Sequence, residues 1–147
     1  MKNRHKNIPA CYLFLIQNNK TLLLKRANTN HENGNYSLIA GHVEAGETFV
    51  QSIIREAKEE SGIDIKSQDL ELVHLMHRGN KIDHNDERVD VFFTVSKWEG
   101  EIENKEPHKC DDLSWFDLNN LPPNTITYIK QAIEAIQQKQ FYSEFGW

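Results

Sequence analysis

An α/β sandwich with a mixed sheet is the fold this sequence predicts, and three observations carry the expectation. Short apolar runs of strand length recur along the chain, bounded by Asn, Gly and Pro. Two longer stretches repeat their apolar residues at helical spacing instead. Paired strands separate those two stretches, so the helices have a sheet to cover. At 147 residues the chain is one domain with room for a core of its own.

Each element follows from its residues in order. Residues 1–7 are polar and basic, the composition of a mobile tail. Ala10–Ile16 and Thr21–Arg26 are apolar runs joined by Gln17-Asn18-Asn19-Lys20, a turn composition that makes the two a hairpin. Residues 27–35 hold four asparagines and a glycine and read as a loop. Tyr36–Ala40 is a short buried strand delivering the chain to a loop at 41–47, whose Gly41 and Gly46 permit unusual backbone angles. Thr48 as N-cap and Gly62 as C-terminal stop delimit the first helix. Its apolar stripe of Phe49, Val50, Ile53, Ile54 and Ala57 faces the sheet. Leu70–Met76 and Val89–Val95 are strands with a polar loop at Arg78–Arg88 between them, and Leu113–Phe116 is a further short strand. Leu121-Pro122-Pro123-Asn124 breaks the chain before a second amphipathic helix, Ile126–Gln140, with Ile126, Ile129, Ile133 and Ile136 on its buried face. The aromatic segment Phe141–Trp147 packs over the sheet or joins a dimer interface, and the sequence leaves both open.

Composition narrows the function. A net charge of -5 supplies no basic footprint for duplex nucleic acid. The apolar run Ala10–Ile16 is too short to span a membrane and follows no secretory pattern. Two cysteines, Cys11 and Cys110, form no disulfide framework and suit a reducing compartment. A soluble, cytoplasmic protein is expected, monomeric or homodimeric.

The chemistry is concentrated in Gly41–Ile63, GHVEAGETFVQSIIREAKEESGI. On a helix, Glu56, Glu59 and Glu60 stand at i, i+3 and i+4, so three carboxylates share one face. Such neighbours repel by a few tenths of a kcal/mol per pair, roughly, and a divalent cation turns the repulsion into coordination. Oxygen donors suit a hard ion, Mg2+ or in its place Mn2+. Read alone, an E-x-x-E-E run is more often a solvated acidic helix face; here a glycine, an upstream glutamate and an Arg-Glu pair accompany it.

This segment resembles the signature of the Nudix hydrolases, G-x5-E-x7-R-E-U-x-E-E-x-G-U, with U aliphatic. Gly41, Glu47, Arg55, Glu56, Glu59, Glu60, Gly62 and Ile63 fill its specified positions and Ala57 fills the first U. The resemblance implies an α/β/α sandwich and hydrolysis of a nucleoside diphosphate linked to another group X, so the partner is a small nucleotide. It also implies a metal held by Glu56, Glu60 and the Gly41 carbonyl, with Glu59 as a further ligand or as general base. Arg55 and Glu47 read as an ion pair bracing loop against helix, since an arginine fork meets a carboxylate with two parallel bonds.

Beyond the box, Trp98-Glu99-Gly100-Glu101 followed by Lys105-Glu106 resembles the W-E-G-E…K-E stretch of MutT-type members. By that resemblance Glu106 is a fourth carboxylate, ligand or base; a solvated acidic loop is the competing reading. Arg26 resembles a residue that meets substrate phosphate, with Lys25 as competitor because adjacent strand residues face opposite ways. Asn124 resembles a reader of the nucleobase edge, although a turn residue needs no such role. His74, His77 and His84 have no zinc-pair spacing and are expected solvated or locally bonded, and His108 with Cys110 lacks a second pair. Tyr36, Trp98, Trp115 and Phe116 are expected in the core.

Marks of several family subgroups are absent. The ADP-ribose group's proline, about 15 residues after the box, is Arg78 here, and Asn80-Lys81-Ile82 replaces the tyrosine of the dinucleoside polyphosphate group. The NADH group's S-Q-P-W-P-F-P-x-S run and the coenzyme A group's L-L-T-x-R arrangement are missing. Elimination leaves a nucleoside triphosphate, ordinary or oxidised, cleaved to monophosphate and pyrophosphate. A nucleotide sugar, a catalytically silent nucleotide sensor and a prenyl diphosphate isomerase are the alternatives; the sensor loses box carboxylates, and the isomerase needs histidines and a cysteine this chain does not set up. One departure stands out: Ile39-Ala40-Gly41 replaces the usual Pro-Gly-Gly entry to the box.

Overall fold

Alternation along the first strand sets the layers. In the computed structural model, which describes residues 2–147 apart from Asp83 and Asn85, β1 runs over Ile8–Leu13. Cys11, Leu13 and the following Leu15 pack with Ile53 and Ala57 of the first helix, α1 (Phe49–Ser61). Ala10, Tyr12 and Phe14 pack instead with Ile129, Ala132 and Ile133 of the second, α2 (Thr127–Gln137). Successive strand side chains point to opposite faces, so one strand serves two cores and the strands form the middle layer of an α/β/α sandwich.

That layer is divided. β1, β5 (Ile39–His42), β6 (Leu70–Arg78), β7 (Arg88–Val95) and β9 (Tyr142–Phe145) form a five-stranded sheet in the order β5-β1-β7-β6-β9. β1 pairs parallel with β7 and antiparallel with β5, β6 runs antiparallel to β7, and β9 parallel to β6, which makes the sheet mixed. The second sheet holds β2 (Ile16–Gln17), β3 (Lys20–Arg26), β4 (Tyr36–Ser37) and β8 (Cys110–Asp117), with β2, β4 and β8 all antiparallel to β3.

Four expectations are corrected. The hairpin is β2–β3 alone, turning on Asn18 and Asn19, both at positive φ (53° and 59°) as a two-residue turn requires; β1 departs into the other sheet. The strand expected at Tyr36–Ala40 breaks at Leu38, its halves β4 and β5 belonging to different sheets. The second helix stops at Gln137, and the aromatic segment beyond it lies in the sheet and not over it: β9 adds to the edge of β6, with Leu75 N donating to Phe141 O and Trp147 Nε1 to His77 O. The strand expected at Leu113–Phe116 spans Cys110–Asp117. The polar loop between β6 and β7 contains Asp83 and Asn85, outside the described residues, as is Met1 of the expected tail; within that tail, Asn7 meets His77 and His5 meets Glu87.

α1 begins and ends as its sequence requires. Thr48 Oγ1 accepts from Gln51 N at 3.1 Å and Gln51 Oε1 accepts from Thr48 N at 2.9 Å, a reciprocal cap. Gly62 closes the helix at φ 79°, its N–H bonded to Lys58 O, a left-handed conformation that glycine adopts at little cost.

Candidate metal and substrate site

Arg55 organises the acidic face of α1. Its Nε and Nη2 donate to Glu47 at 2.9 and 2.8 Å, the parallel fork expected of that pair. Nη1 donates to Glu56 at 2.8 Å and Glu59 at 3.3 Å, and Nη2 also reaches His42 O at 3.3 Å. Beside this guanidinium the Glu47 carboxyl is held down to about 2. The same clamp ties the 41–47 segment to the helix.

Gly41 sits where its neighbour leaves no room. A Cβ there would stand 2.0 Å from Glu56 Oε1 and 2.1 Å from its Cδ. The glycine is a β5 residue outside the left-handed region, so it supplies space for Glu56 and not an unusual backbone angle as expected. One residue earlier, Ala40 N at the free edge of β5 donates to Glu60 Oε2 at 3.3 Å. Burial, and then the charge of Glu56, pushes the Glu60 carboxyl well up; burial also raises Glu56. Partly buried carboxylates crowded so that neighbouring carboxylate charge raises each of them are the electrostatic form of a cation site.

Glu106 reaches these residues through a docked loop. Asp64 and Glu99 exchange backbone hydrogen bonds of 2.9 and 3.0 Å, Glu103 N donates to Ser61 O, and Lys105 N to Glu60 O. The loop is therefore anchored on the end of α1. Asn104 then fixes its exit, accepting from Glu106 N at 3.1 Å and donating to Cys110 O at 2.7 Å. The charge of Glu106 acts on both Glu56 and Glu60.

These side chains open on one cleft of about 580 Å³, lined by Gly41, Glu56, Glu59, Glu60 and Glu106 and also by Arg26. Arg26 ends β3, and its Nε donates to His31 O at 2.8 Å, ordering the 28–31 turn that roofs the cleft. Lys25, its competitor, is not among the lining residues. Asn124 is not brought there either: its side-chain amide donates to Gly34 O at 2.8 Å and its main-chain carbonyl accepts from Tyr36 N. Tyr36, Trp98, Trp115 and Phe116 pack against the two cores.

Sequence reasoning missed the sheet side of the cleft. Arg78 and Asp90 are buried, 2% and 0% exposed, and joined at 2.8 Å from Arg78 Nε to Asp90 Oδ2. The Arg78 guanidinium lies 3.8 Å from the centroid of the Tyr128 ring, and Tyr12, Tyr128, Arg88 and His42 also line the cavity. The available signal was phase: Arg78 follows His74 and Met76 at two-residue spacing on a face turned inward.

The donor set fits a hard divalent ion: four carboxylates and a main-chain carbonyl, with a glycine where a Cβ would displace one donor. Among the described residues no three His, Cys, Asp or Glu side chains converge on one point. The carboxylates are held on three partners, Glu56 and Glu59 together on Arg55, Glu60 on Ala40 N, and Glu106 beside Lys109.

Other candidates resolve simply. His74 is buried between Gln140 O and Ser143 Oγ, both at 2.7 Å. Cys11 donates to Ser52 Oγ at 3.1 Å, and burial pushes its thiol up to about 11, unsuited to nucleophilic work at neutral pH. No described helix is long and apolar enough to cross a membrane.

A family model described as NUDIX domain matches residues 6–138. The chain is 29% identical over 147 residues to the NAD-capped RNA hydrolase NudC of Vibrio atlanticus, a match covering 91% of this chain and 51% of that protein. It is 35% identical over 106 residues to an ADP-ribose pyrophosphatase of Methanocaldococcus jannaschii, covering 72% of this chain and 59% of that one. The chain thus spans about half the length of the NudC relative it matches. Among solved structures, a MutT NUDIX hydrolase from Burkholderia pseudomallei superposes with a TM-score of 0.79 at 24% identity, covering 88% of this chain and 98% of that one, a likeness of fold.

Proposed function

Since the chain belongs to the Nudix family of hydrolases, which act on a nucleoside diphosphate linked to a further group X, we propose that its own substrate is a nucleoside triphosphate, ordinary or oxidised, cleaved to monophosphate and pyrophosphate with Mg2+. The observation carrying this reading is the gathering of Glu56, Glu59, Glu60 and Glu106 in the lining of one cleft together with Arg26.

Glu56, Glu60 and the Gly41 carbonyl hold the cation, with Glu59 beside them. When bound, the ion neutralises diphosphate oxygens and acidifies water, the contribution a hard divalent cation makes to phosphoryl transfer. Arg26 draws the phosphate chain toward the carboxylates, and Arg55 holds Glu56 and Glu59 in place. Water adds to a bridging phosphorus, the bond from that phosphorus to the bridging oxygen breaks, and the water proton passes to Glu59 or Glu106. Catalysis here is positioning and charge neutralisation. Asn124 has no part in this reading, because its bonds to Gly34 and Tyr36 hold it in a loop outside the cleft lining.

ADP-ribose is the second reading, favoured by the Methanocaldococcus jannaschii relative. A capped RNA or NADH is less supported, because the S-Q-P-W-P-F-P-x-S run is absent. Two buried free cysteines accord with a reducing, cytoplasmic setting.

The test is product release, with Mg2+ and then Mn2+, from ordinary and oxidised triphosphates, ADP-ribose, diadenosine polyphosphates, a nucleotide sugar and NADH, on wild type and Glu60→Gln. Pyrophosphate released from a triphosphate, and lost in a folded Glu60→Gln protein, supports the proposal. Full activity of Glu60→Gln refutes the metal assignment. Silence across the panel with nucleotide binding intact makes the protein a sensor.

A further inference from the structure

The cleft is electrostatically divided, and its second half has no assigned role. The carboxylates come from α1 and the 98–106 loop, whereas Arg78 and Arg88 come from the ends of β6 and β7. These two arginines are directly opposite one another in the antiparallel ladder. Like charges placed opposite on adjacent strands destabilise a sheet. Arg78 is neutralised: Asp90 takes its Nε at 2.8 Å and its Nη2 at 3.5 Å, the Tyr12 hydroxyl meets Nη2 at 3.4 Å, and the Tyr128 ring covers its face. With Asp90 so engaged, Arg88 forms no ion pair with a described carboxylate.

Arg88 is also incompletely satisfied. Its Nη1 meets His42 Nε2, while its Nε is buried with no hydrogen-bond partner among the described residues. His42, adjacent to Gly41, is on the same cleft wall and faces Arg88, Arg78 and Arg26 together. A guanidinium with a buried, unpaired donor beside further cations is completed by an anion.

We propose that Arg88, with His42 beside it, forms an anion subsite that takes a phosphoryl oxygen of the X group, so the preferred substrates are those in which X is itself a phosphate chain. A substrate reaching from the carboxylates across the β5 edge onto the sheet face places its far phosphate there. The identity of the ligand rests on the diphosphate-hydrolase reading; the existence of the subsite does not.

Inorganic pyrophosphate is the probe, titrated into full-length wild-type protein by calorimetry and by NMR of the assigned arginine Nε–H resonances, in EDTA and again with Mg2+. The Arg88 Nε–H resonance shifts saturably, and Arg88→Gln weakens pyrophosphate binding roughly tenfold, as loss of a charge-assisted contact does. Arg88→Lys, which keeps the charge without the fork, falls between the two. A static Arg88 resonance while pyrophosphate binds elsewhere overturns the subsite, as does an absence of pyrophosphate binding. Because the wild-type resonance is read directly, the result stands even if Arg88→Gln misfolds. Pyrophosphate binding at Arg88 with no turnover of any nucleotide keeps the subsite and sinks the hydrolase reading; turnover with an unmoved Arg88 does the reverse.

Discussion

Replacing Gly41 with alanine tests whether the glycine is there for space. The added Cβ would stand 2.0 Å from Glu56 Oε1, 2.1 Å from Cδ and 2.7 Å from Cγ. To regain ordinary contact near 3.5 Å, the Glu56 carboxylate must withdraw by roughly 1.5 Å. The obstacle is the far end of a flexible side chain, so the fold survives and the thermal midpoint moves by only a few degrees. The ligand position does not survive, because oxygen donors tolerate displacements of only about 0.2 Å. Displacing supporting groups alone costs about 10–100-fold in metal affinity, so loss of Glu56 costs at least the upper figure, about 2.7 kcal/mol. Manganese titration followed by electron paramagnetic resonance, beside calorimetry with Mg2+, measures this directly. Wild-type affinity in a folded Gly41→Ala protein would refute both the steric argument and the place of Glu56 among the ligands.

Three further outcomes are expected. Glu59→Gln and Glu106→Gln each lower turnover, and the one acting as base loses about 100-fold or more in kcat at nearly constant KM; single-turnover kinetics shows which, and an unchanged Glu106→Gln removes that residue from the site. Glu47 is held down to about 2 by Arg55, so its stabilising share is complete above the ordinary carboxyl value of 4.5 and is lost as pH falls toward 2. Glu47→Gln is therefore less stable than wild type at neutral pH but loses less on acidification, and equal slopes in urea melts between those pH values would contradict the pairing. Asn124→Ala gives up one exposed hydrogen bond to Gly34 O, so its stability falls by under about 1 kcal/mol and KM is unchanged; a KM raised several-fold would restore it as a base reader.

The parts legible in the sequence are those whose determinants are local. α1 could be read from cap to stop because Thr48, the apolar stripe and Gly62 act within one helix. The fork between Arg55 and Glu47 was legible for a similar reason, both ends lying on one short segment. The division into two sheets was not. Residues from Ala10 to Leu15 alternate between two cores whichever sheet they join, so the departure of β1 from the hairpin leaves no mark in hydropathy. β9 was missed because short aromatic segments fit an edge strand and an interface equally well. The basic wall of the cleft was missed because Arg78, Arg88 and His42 come from three strands and meet only through pairing register.

The hydrogen bond from Ala40 to Glu60 joins a sheet edge to the proposed cation site. β5 ends the five-stranded sheet, and an unpaired amide on a terminal strand is an invitation to another molecule's backbone. Glu60 answers that amide from within the chain and sets a negative charge beside it. The carboxylate proposed to serve the cation thus also occupies the amide of a sheet edge. Removing it with alanine strips both protections at once, whereas glutamine keeps an acceptor in place and gives up only the charge.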